Sequence, residues 1–213
     1  ENLNLQFKPG SINGIVGENG AGKTTLFRCI AGFESYEGRI DSHKNPLKNH
    51  LGYLMTNPYL LDKITGLEYI ELLLYAREIS IKNIAQHNIF DLPLKEYATN
   101  YSTGMKKKLA ITAMLLLNND YFILDEPFSG LDIQSNMLLT EIIQKLRSLN
   151  KTILLSSHIF GGLEQLCDVI HLLQKGKPLQ TVLPPQYDSL KETMMQSIHR
   201  TKIDTLPLKY SDS

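Results

Sequence analysis

The segment Gly17-Glu18-Asn19-Gly20-Ala21-Gly22-Lys23-Thr24-Thr25 decides the fold. It fits the pattern Gly-x-x-x-x-Gly-Lys-Ser/Thr, with a short apolar run at 12–16 before it and a helical pattern at 23–31 after it. In this context glycines let backbone N–H groups turn inward, the helix N-terminus attracts anions, and the lysine adds a mobile positive charge. The segment therefore predicts a loop that binds nucleotide phosphates, with the Thr24 hydroxyl as a candidate Mg²⁺ ligand.

A second candidate site element is a pair of carboxylates that follows an apolar strand pattern at 121–124. Asp125 and Glu126 are adjacent, so on a strand end they point in different directions and take different roles. Asp125 is a candidate ligand of Mg²⁺, and Glu126 is a candidate base that orients and deprotonates the attacking water. Such a pair alone is more often an ordinary solvated strand end. The phosphate loop upstream and Pro127 behind the pair favour the catalytic interpretation.

His158 is the histidine with a functional interpretation, because it follows a strand pattern at 152–156. At the same edge of the sheet, a neutral imidazole could hydrogen-bond the γ-phosphate and the catalytic water. The other histidines are expected to be ordinary surface or core residues.

The chain has 213 residues, enough for one elaborated domain. Strand patterns at 12–16, 37–41, 51–55, 121–124 and 152–156 alternate with helical patterns at 23–31, 66–78, 104–117 and 133–149. This alternation predicts a mostly parallel sheet. We expect an α/β core at 1–57 and 118–180, a helical subdomain at 58–117, and a tail at 181–213 that packs loosely from Pro184 onward.

Composition narrows the classes of partner. Lys plus Arg and Asp plus Glu number 22 each, so the net charge is zero, which argues against a nucleic-acid partner. The two cysteines lie in apolar stretches and are expected to be free thiols in a reducing compartment. No apolar run reaches about 18 residues, so we expect any membrane part to come from a separate chain.

The ordered set of motifs resembles the nucleotide-binding subunit of an ATP-binding cassette (ABC) transporter. Tyr101-Ser102-Thr103-Gly104-Met105 stands where that family has its signature sequence, Ser129-Gly130-Leu131-Asp132 resembles its D-loop, and His158 its switch histidine. The resemblance implies an α/β fold with a P-loop NTPase core plus a helical subdomain. This version of the signature, followed by Lys106-Lys107-Lys108, is similar to the branch that pairs with ABC-2-type export permeases.

The resemblance also implies partners and cofactors. The family works as a head-to-tail dimer, here a homodimer or a heterodimer, in which ATP on the loop of one subunit is capped by Ser102 and Gly104 of the other. Asp132 of the D-loop joins this set, and Thr56 stands where the family has glutamine or glutamate as a further Mg²⁺ ligand. The expected function is ATP hydrolysis that powers export through a membrane permease, at the cytoplasmic face of the cell membrane.

Two alternatives stay open at this stage. Thr56 and the altered signature suit a regulatory subunit that binds ATP with weak or no hydrolysis, although the presence of Glu126 argues against it. A non-transport soluble ABC ATPase is the other alternative. It is disfavoured because the gap between Lys23 and Ser102 holds no long coiled-coil insertion, and because the chain has one such domain without a basic linker.

Overall fold

The computed structural model describes residues 3–158, 161–177 and 179–192. Within these residues the strands are β1 (Ile12–Val16), β2 (Leu51–Leu54), β3 (Tyr121–Leu124), β4 (Thr152–Ser157), β5 (Val169–Leu172) and β6 (Gln180–Val182). The α-helices are α1 (Lys23–Ile30), α2 (Gly66–Ala76), α3 (Thr103–Leu116), α4 (Ile133–Ser148) and α5 (Leu163–Leu166), and the described residues 187–192 are helical as well. Short 3₁₀ turns occupy Leu47–Asn49, Ile84–His87, Ala98–Asn100 and Pro184–Gln186.

The strands form one sheet in the order β2-β3-β4-β1-β5-β6. The pairs β2–β3, β3–β4, β4–β1 and β1–β5 are parallel, and only the edge pair β5–β6 is antiparallel. The expected mostly parallel α/β sheet is confirmed. Because parallel strands end at a common edge, the segments that follow β2, β3, β4 and β1 meet there.

Both faces of the sheet are covered, so buried residues alternate between two hydrophobic clusters. Phe122 and Leu124 of β3 pack into the larger cluster together with Leu139 of α4. Ile123, between them in sequence, packs on the opposite face against Phe27 of α1. This packing on both faces fixes the register of β3 and the point where the strand ends.

A third cluster lies in the middle of the chain, where α2 and α3 pack together. Its buried members include Ile70 and Leu74 of α2 and Leu109 of α3. The Thr65 side chain and the Glu68 carboxylate cap α2 reciprocally in a capping box, which explains why the helix begins at Gly66. We propose on this basis that 58–117 is a helical subdomain beside the α/β core.

Two local expectations are wrong. The segment 37–41 forms no strand: it is an exposed loop in which Arg39 and Asp41 form a solvent-accessible ion pair, and it offers no apolar face to bury. The chain after Pro184 does not pack loosely in the described part, since Tyr187 and Leu190 are 4% and 5% exposed and belong to the larger core cluster. The rest of the expected tail, 193–213, lies outside the described residues.

Because Leu190 is packed in the core, we predict that its truncation lowers the stability of the protein. Leu190→Ala should lower the free energy of unfolding by about 2–5 kcal/mol, because the truncation removes apolar contacts and leaves a cavity in the core. Leu183→Ala is the matched control: Leu183 is 52% exposed, and its truncation should change stability by less than about 0.5 kcal/mol. Urea unfolding of both variants measures the difference, and equal values would contradict the packed assignment.

Candidate nucleotide-binding site

The glycine loop connects β1 to α1 in a conformation that its glycines make possible. A Cβ at Gly17 would lie 2.2 Å from the carbonyl oxygen of Leu173, so no other residue fits there. Gly22 has φ 106° as the N-cap of α1, a left-handed conformation that glycine adopts without strain. No side chain caps α1 and its first turn holds no acidic residue, which leaves the positive helix end available to an anion.

The Lys23 amine is folded onto the loop that precedes it. Its Nζ donates to the carbonyl oxygens of Gly17 at 2.6 Å and Glu18 at 3.2 Å, and lies 3.8 Å from Glu126 Oε1. The side chain is 7% exposed, so its charge is largely withdrawn from water and interacts strongly with nearby anions. Lys23 is thereby held between the glycine loop and the Glu126 carboxylate.

Asp125 directly follows β3 and is a fully buried carboxylate with two hydroxyl partners. Thr24 Oγ1 donates to its Oδ2 at 2.7 Å, and Ser156 Oγ donates to its Oδ1 at 2.5 Å. One hydroxyl and one carboxylate are the hard oxygen ligands that Mg²⁺ uses when substrate phosphates and water complete its shell. Among the described residues, no group of three or more His, Cys, Asp or Glu side chains is arranged to hold a metal ion.

Glu126 lies in a strained turn directly after the strand. Its φ is 49°, a left-handed conformation that is uncommon for a residue with a side chain. Its backbone N–H donates to Ser156 Oγ at 2.9 Å, and its Oε2 lies 2.9 Å from His158 Nδ1. The carboxylate is therefore placed between the Lys23 amine and the His158 imidazole, with its side chain 15% exposed.

These groups surround one cleft of about 290 Å³. It is lined by Asn19, Gly20, Gly22, Lys23, Thr24, Thr25, Thr56 and Glu126. The structure therefore brings together most of the residues predicted for phosphate, metal and base, including Thr56 after β2. Gly17, Glu18 and Ala21 belong to the same loop without lining the cleft, and His158 reaches it through its contact with Glu126.

Asp125 does not line the cleft itself and contacts it through Thr24. Three other predicted residues belong to the starts of α3 and α4 and do not line the cleft either. Ser102 is an exposed N-cap of α3, where its Oγ accepts from the Met105 N–H at 3.2 Å, and Gly104 lies in the first turn of that helix. Asp132 is the N-cap of α4 and accepts from Lys108 Nζ at 2.6 Å. The hydrogen bonds from the Lys108 ammonium and from Ser135 hold the pKa of Asp132 well below its ordinary value, so it stays ionised.

Two residues that bond to Asp125 or Glu126 were not predicted from the sequence. Ser156 is fully buried; its hydroxyl donates to Asp125 and accepts from the backbone N–H of Glu126. The sequence signal that could have indicated this role is a small polar residue near the end of an apolar strand. Lys107 is 2% exposed and donates to the carbonyl oxygens of Glu126 and Ser129. Its burial could not be predicted from the sequence, because Lys107 is the middle residue of three consecutive lysines, a pattern typical of an exposed helix face.

Comparison with known proteins decides the family. The family model described as ABC transporter matches residues 1–129, which is more than half of the chain. The chain belongs to the ABC transporter ATP-binding family. The α/β P-loop fold and the ABC type of ATPase, both expected from the motifs, are thereby confirmed.

Individual relatives agree with this assignment. The chain is 33% identical to the ABC transporter ATP-binding protein NatA of Bacillus subtilis over 94% of this chain and 89% of the relative. It is 30% identical to the lantibiotic transport ATP-binding protein SrtF of Streptococcus pyogenes, covering 88% and 84%. A solved ATP-binding subunit of an ABC transporter superposes with a TM-score of 0.75 at 25% identity, covering 92% of this chain and 86% of that one.

The chain spans only about half the length of some of the relatives that it matches. An uncharacterized ABC transporter ATP-binding protein of Nostoc is 34% identical over 186 residues, and the match spans 55% of its length. The described helices of the present chain include none with both the length and the apolar character that crossing a bilayer requires.

Proposed function

We propose that this ABC subunit binds and hydrolyses ATP to power export through a separate membrane permease. The observation that carries the proposal is the position of the Glu126 carboxylate at the phosphate cleft, 3.8 Å from Lys23 and 2.9 Å from His158. A carboxylate placed there can take the proton of a water that attacks the terminal phosphate.

The phosphate and metal roles follow from the groups around the cleft. The loop from Gly17 to Thr25 supplies backbone amides and the Lys23 charge to the β- and γ-phosphates. Thr24, Asp125 and Thr56 are the candidate ligands of Mg²⁺, and the paired oxygens of Thr24 and Asp125 fit its chemistry. When bound, Mg²⁺ neutralises phosphate charge. The threonine at position 56 offers a shorter ligand than the family's glutamine or glutamate.

His158 and Glu126 form the proposed hydrolytic pair. Glu126 Oε2 accepts from the imidazole if Nδ1 carries the proton, which leaves Nε2 as an acceptor for water or for a protonated phosphate oxygen. The hydrogen bond also fixes the orientation of the carboxylate. In this assignment Glu126 acts as the base, and His158 senses the γ-phosphate.

The second half of each site is proposed to come from another subunit, arranged head to tail. Ser102 is exposed at the positive N-terminal end of α3, where a phosphate can approach its hydroxyl and the helix amides. Ser102 does not line the phosphate cleft of its own chain. Ser102 and Gly104 of one subunit would therefore cap ATP held by the Lys23 loop of the other. Asp132 lies at the start of α4 and accepts a hydrogen bond from Lys108 of α3, the helix that begins next to Ser102.

The transport role rests on two supports. The signature segment from Tyr101 to Met105 is similar to the branch that pairs with ABC-2-type export permeases, and one relative is named as a lantibiotic transport protein. We propose that the subunit binds its permease at the cytoplasmic face of the membrane, through the helical region from about 58 to 117. The exposed side chains of Tyr59 and Tyr75 lie in this region.

A charge at position 102 tests the trans-capping proposal. Ser102→Asp keeps an N-cap residue but places a carboxylate against the phosphate of the opposite site, where like charges repel by several kcal/mol. We expect ATP hydrolysis to fall at least about tenfold while ATP binding to the monomer is unchanged. Ser102→Asn, a neutral cap of the same size, is the control and should retain more activity. Equal rates for the two variants would contradict capping by Ser102.

A further inference from the structure

Lys107 is a lysine buried where a solvated one was expected. It lies in the second turn of α3 and is 2% exposed, among the largest fully buried side chains of the described chain. Its Nζ donates to the carbonyl oxygen of Glu126 at 2.9 Å and to that of Ser129 at 2.7 Å. Burial lowers the pKa of Lys107, and the nearby Glu126 and Asp125 carboxylates oppose that shift.

The two carbonyls belong to one turn. The Ser129 N–H donates to the Glu126 carbonyl at 3.2 Å, so residues 126–129 form a four-residue turn that begins in the left-handed conformation of Glu126. Such a conformation is retained only when surrounding contacts over-determine it. The Lys107 amine bonds the first and last carbonyls of this turn, and the Ser156 hydroxyl bonds its first N–H.

We infer that Lys107 is a positioning residue: by bonding the carbonyls of Glu126 and Ser129 it fixes the turn that aims the Glu126 carboxylate at the nucleotide. The inference rests on the proposed function, because it assumes that Glu126 acts on the water. Lys107 does not contact the phosphate cleft, and its effect passes through the backbone of Glu126.

The position of Lys107 on α3 gives this bond a second consequence. The same helix begins next to Ser102, and Gly104 in its first turn approaches the D-loop so closely that a Cβ there would lie 2.7 Å from the Gly130 carbonyl oxygen. In the head-to-tail arrangement this helix caps one ATP while Glu126 hydrolyses the other. Lys107 therefore connects the helix that would cap one ATP to the turn that carries the base for the other ATP.

Two substitutions of similar size separate the hydrogen bonds from the packing. Lys107→Met keeps an unbranched apolar chain but removes every donor, so the carbonyls of Glu126 and Ser129 both lose their hydrogen bond from the amine. Lys107→Gln keeps an amide N–H donor. We expect kcat for ATP hydrolysis to fall about ten- to hundredfold in Lys107→Met, as for a misplaced catalytic group, with KM for ATP within about twofold of wild type. Lys107→Gln should recover a large part of the lost kcat.

The control is Lys145→Met, a change at an exposed lysine of α4 outside the nucleotide site and the proposed permease region, which should leave both constants unchanged. Wild-type kcat in Lys107→Met would overturn the inference, and so would equal losses in the two Lys107 variants or a loss confined to KM. Failure of both variants to fold, judged by circular dichroism and thermal melting, would also overturn it, because Lys107 would then maintain the fold rather than the turn. Absence of hydrolysis in the wild type would instead count against the proposed function.

Discussion

Glu126→Gln should reduce the rate of ATP hydrolysis about 10²- to 10⁴-fold, the range that a general base contributes. The substitution keeps the size of the side chain and its hydrogen bond with His158, which lies 2.9 Å from Oε2, but removes the group that accepts the proton. ATP affinity should not fall, because the amide also removes a negative charge beside the phosphates. A phosphate-release assay under saturating ATP and Mg²⁺ measures the rate.

A matched control is Glu141→Gln, the same chemical change at an exposed position of α4. It should hydrolyse ATP at the wild-type rate. Retention of more than half of the rate in Glu126→Gln would contradict the assignment of the base. A wild type that binds ATP without hydrolysing it, even with a permease present, would favour the regulatory-subunit alternative.

Lys23→Met should weaken ATP binding about ten- to hundredfold. A hydrogen bond to a charged group contributes about 1.5–3 kcal/mol, and each 1.4 kcal/mol is a factor of ten in the dissociation constant. The amine is 7% exposed and anchored by the carbonyls of Gly17 and Glu18, so it is ordered before the phosphate arrives. Isothermal titration with a non-hydrolysable ATP analogue measures the affinity directly.

In Lys23→Met the carbonyl oxygens of Gly17 and Glu18 lose the hydrogen bonds from the amine, which lowers the stability of the loop. The melting temperature is therefore also recorded without nucleotide. The wild type should melt at a higher temperature when the ATP analogue is added, and the variant should show a much smaller increase. Lys95→Met, at an exposed site, is the control for the loss of one positive charge. An unchanged dissociation constant in Lys23→Met would contradict the phosphate role.

The strands that carry the site could be predicted from sequence because each is a short apolar run ended by a residue that cannot continue it. β1 and β3 have the predicted bounds, Ile12–Val16 before Gly17 and Tyr121–Leu124 before Asp125. The predicted ends of the helices were close to the observed ones, because N-cap residues such as Thr65 and Asp132 mark a helix start in the local sequence. The parallel order of the strands then brings the predicted residues to one edge.

Features that depend on distant contacts could not be predicted. The strand pattern at 37–41 lacks a partner strand, which a local pattern cannot reveal. Tyr187 and Leu190 are buried in the larger core cluster, which residues distant in sequence form. Lys107 pairs with carbonyls 19 and 22 residues away, so its burial follows from tertiary structure alone.

The measurement that tests the central claim most directly is the molar mass of Glu126→Gln by light scattering, with and without ATP and Mg²⁺. The two-site account predicts a monomer without nucleotide and a stable dimer with ATP, because each ATP is held between the Lys23 loop of one subunit and Ser102 of the other while hydrolysis is blocked. A mass that stays monomeric at saturating ATP, with binding confirmed by titration, would contradict it.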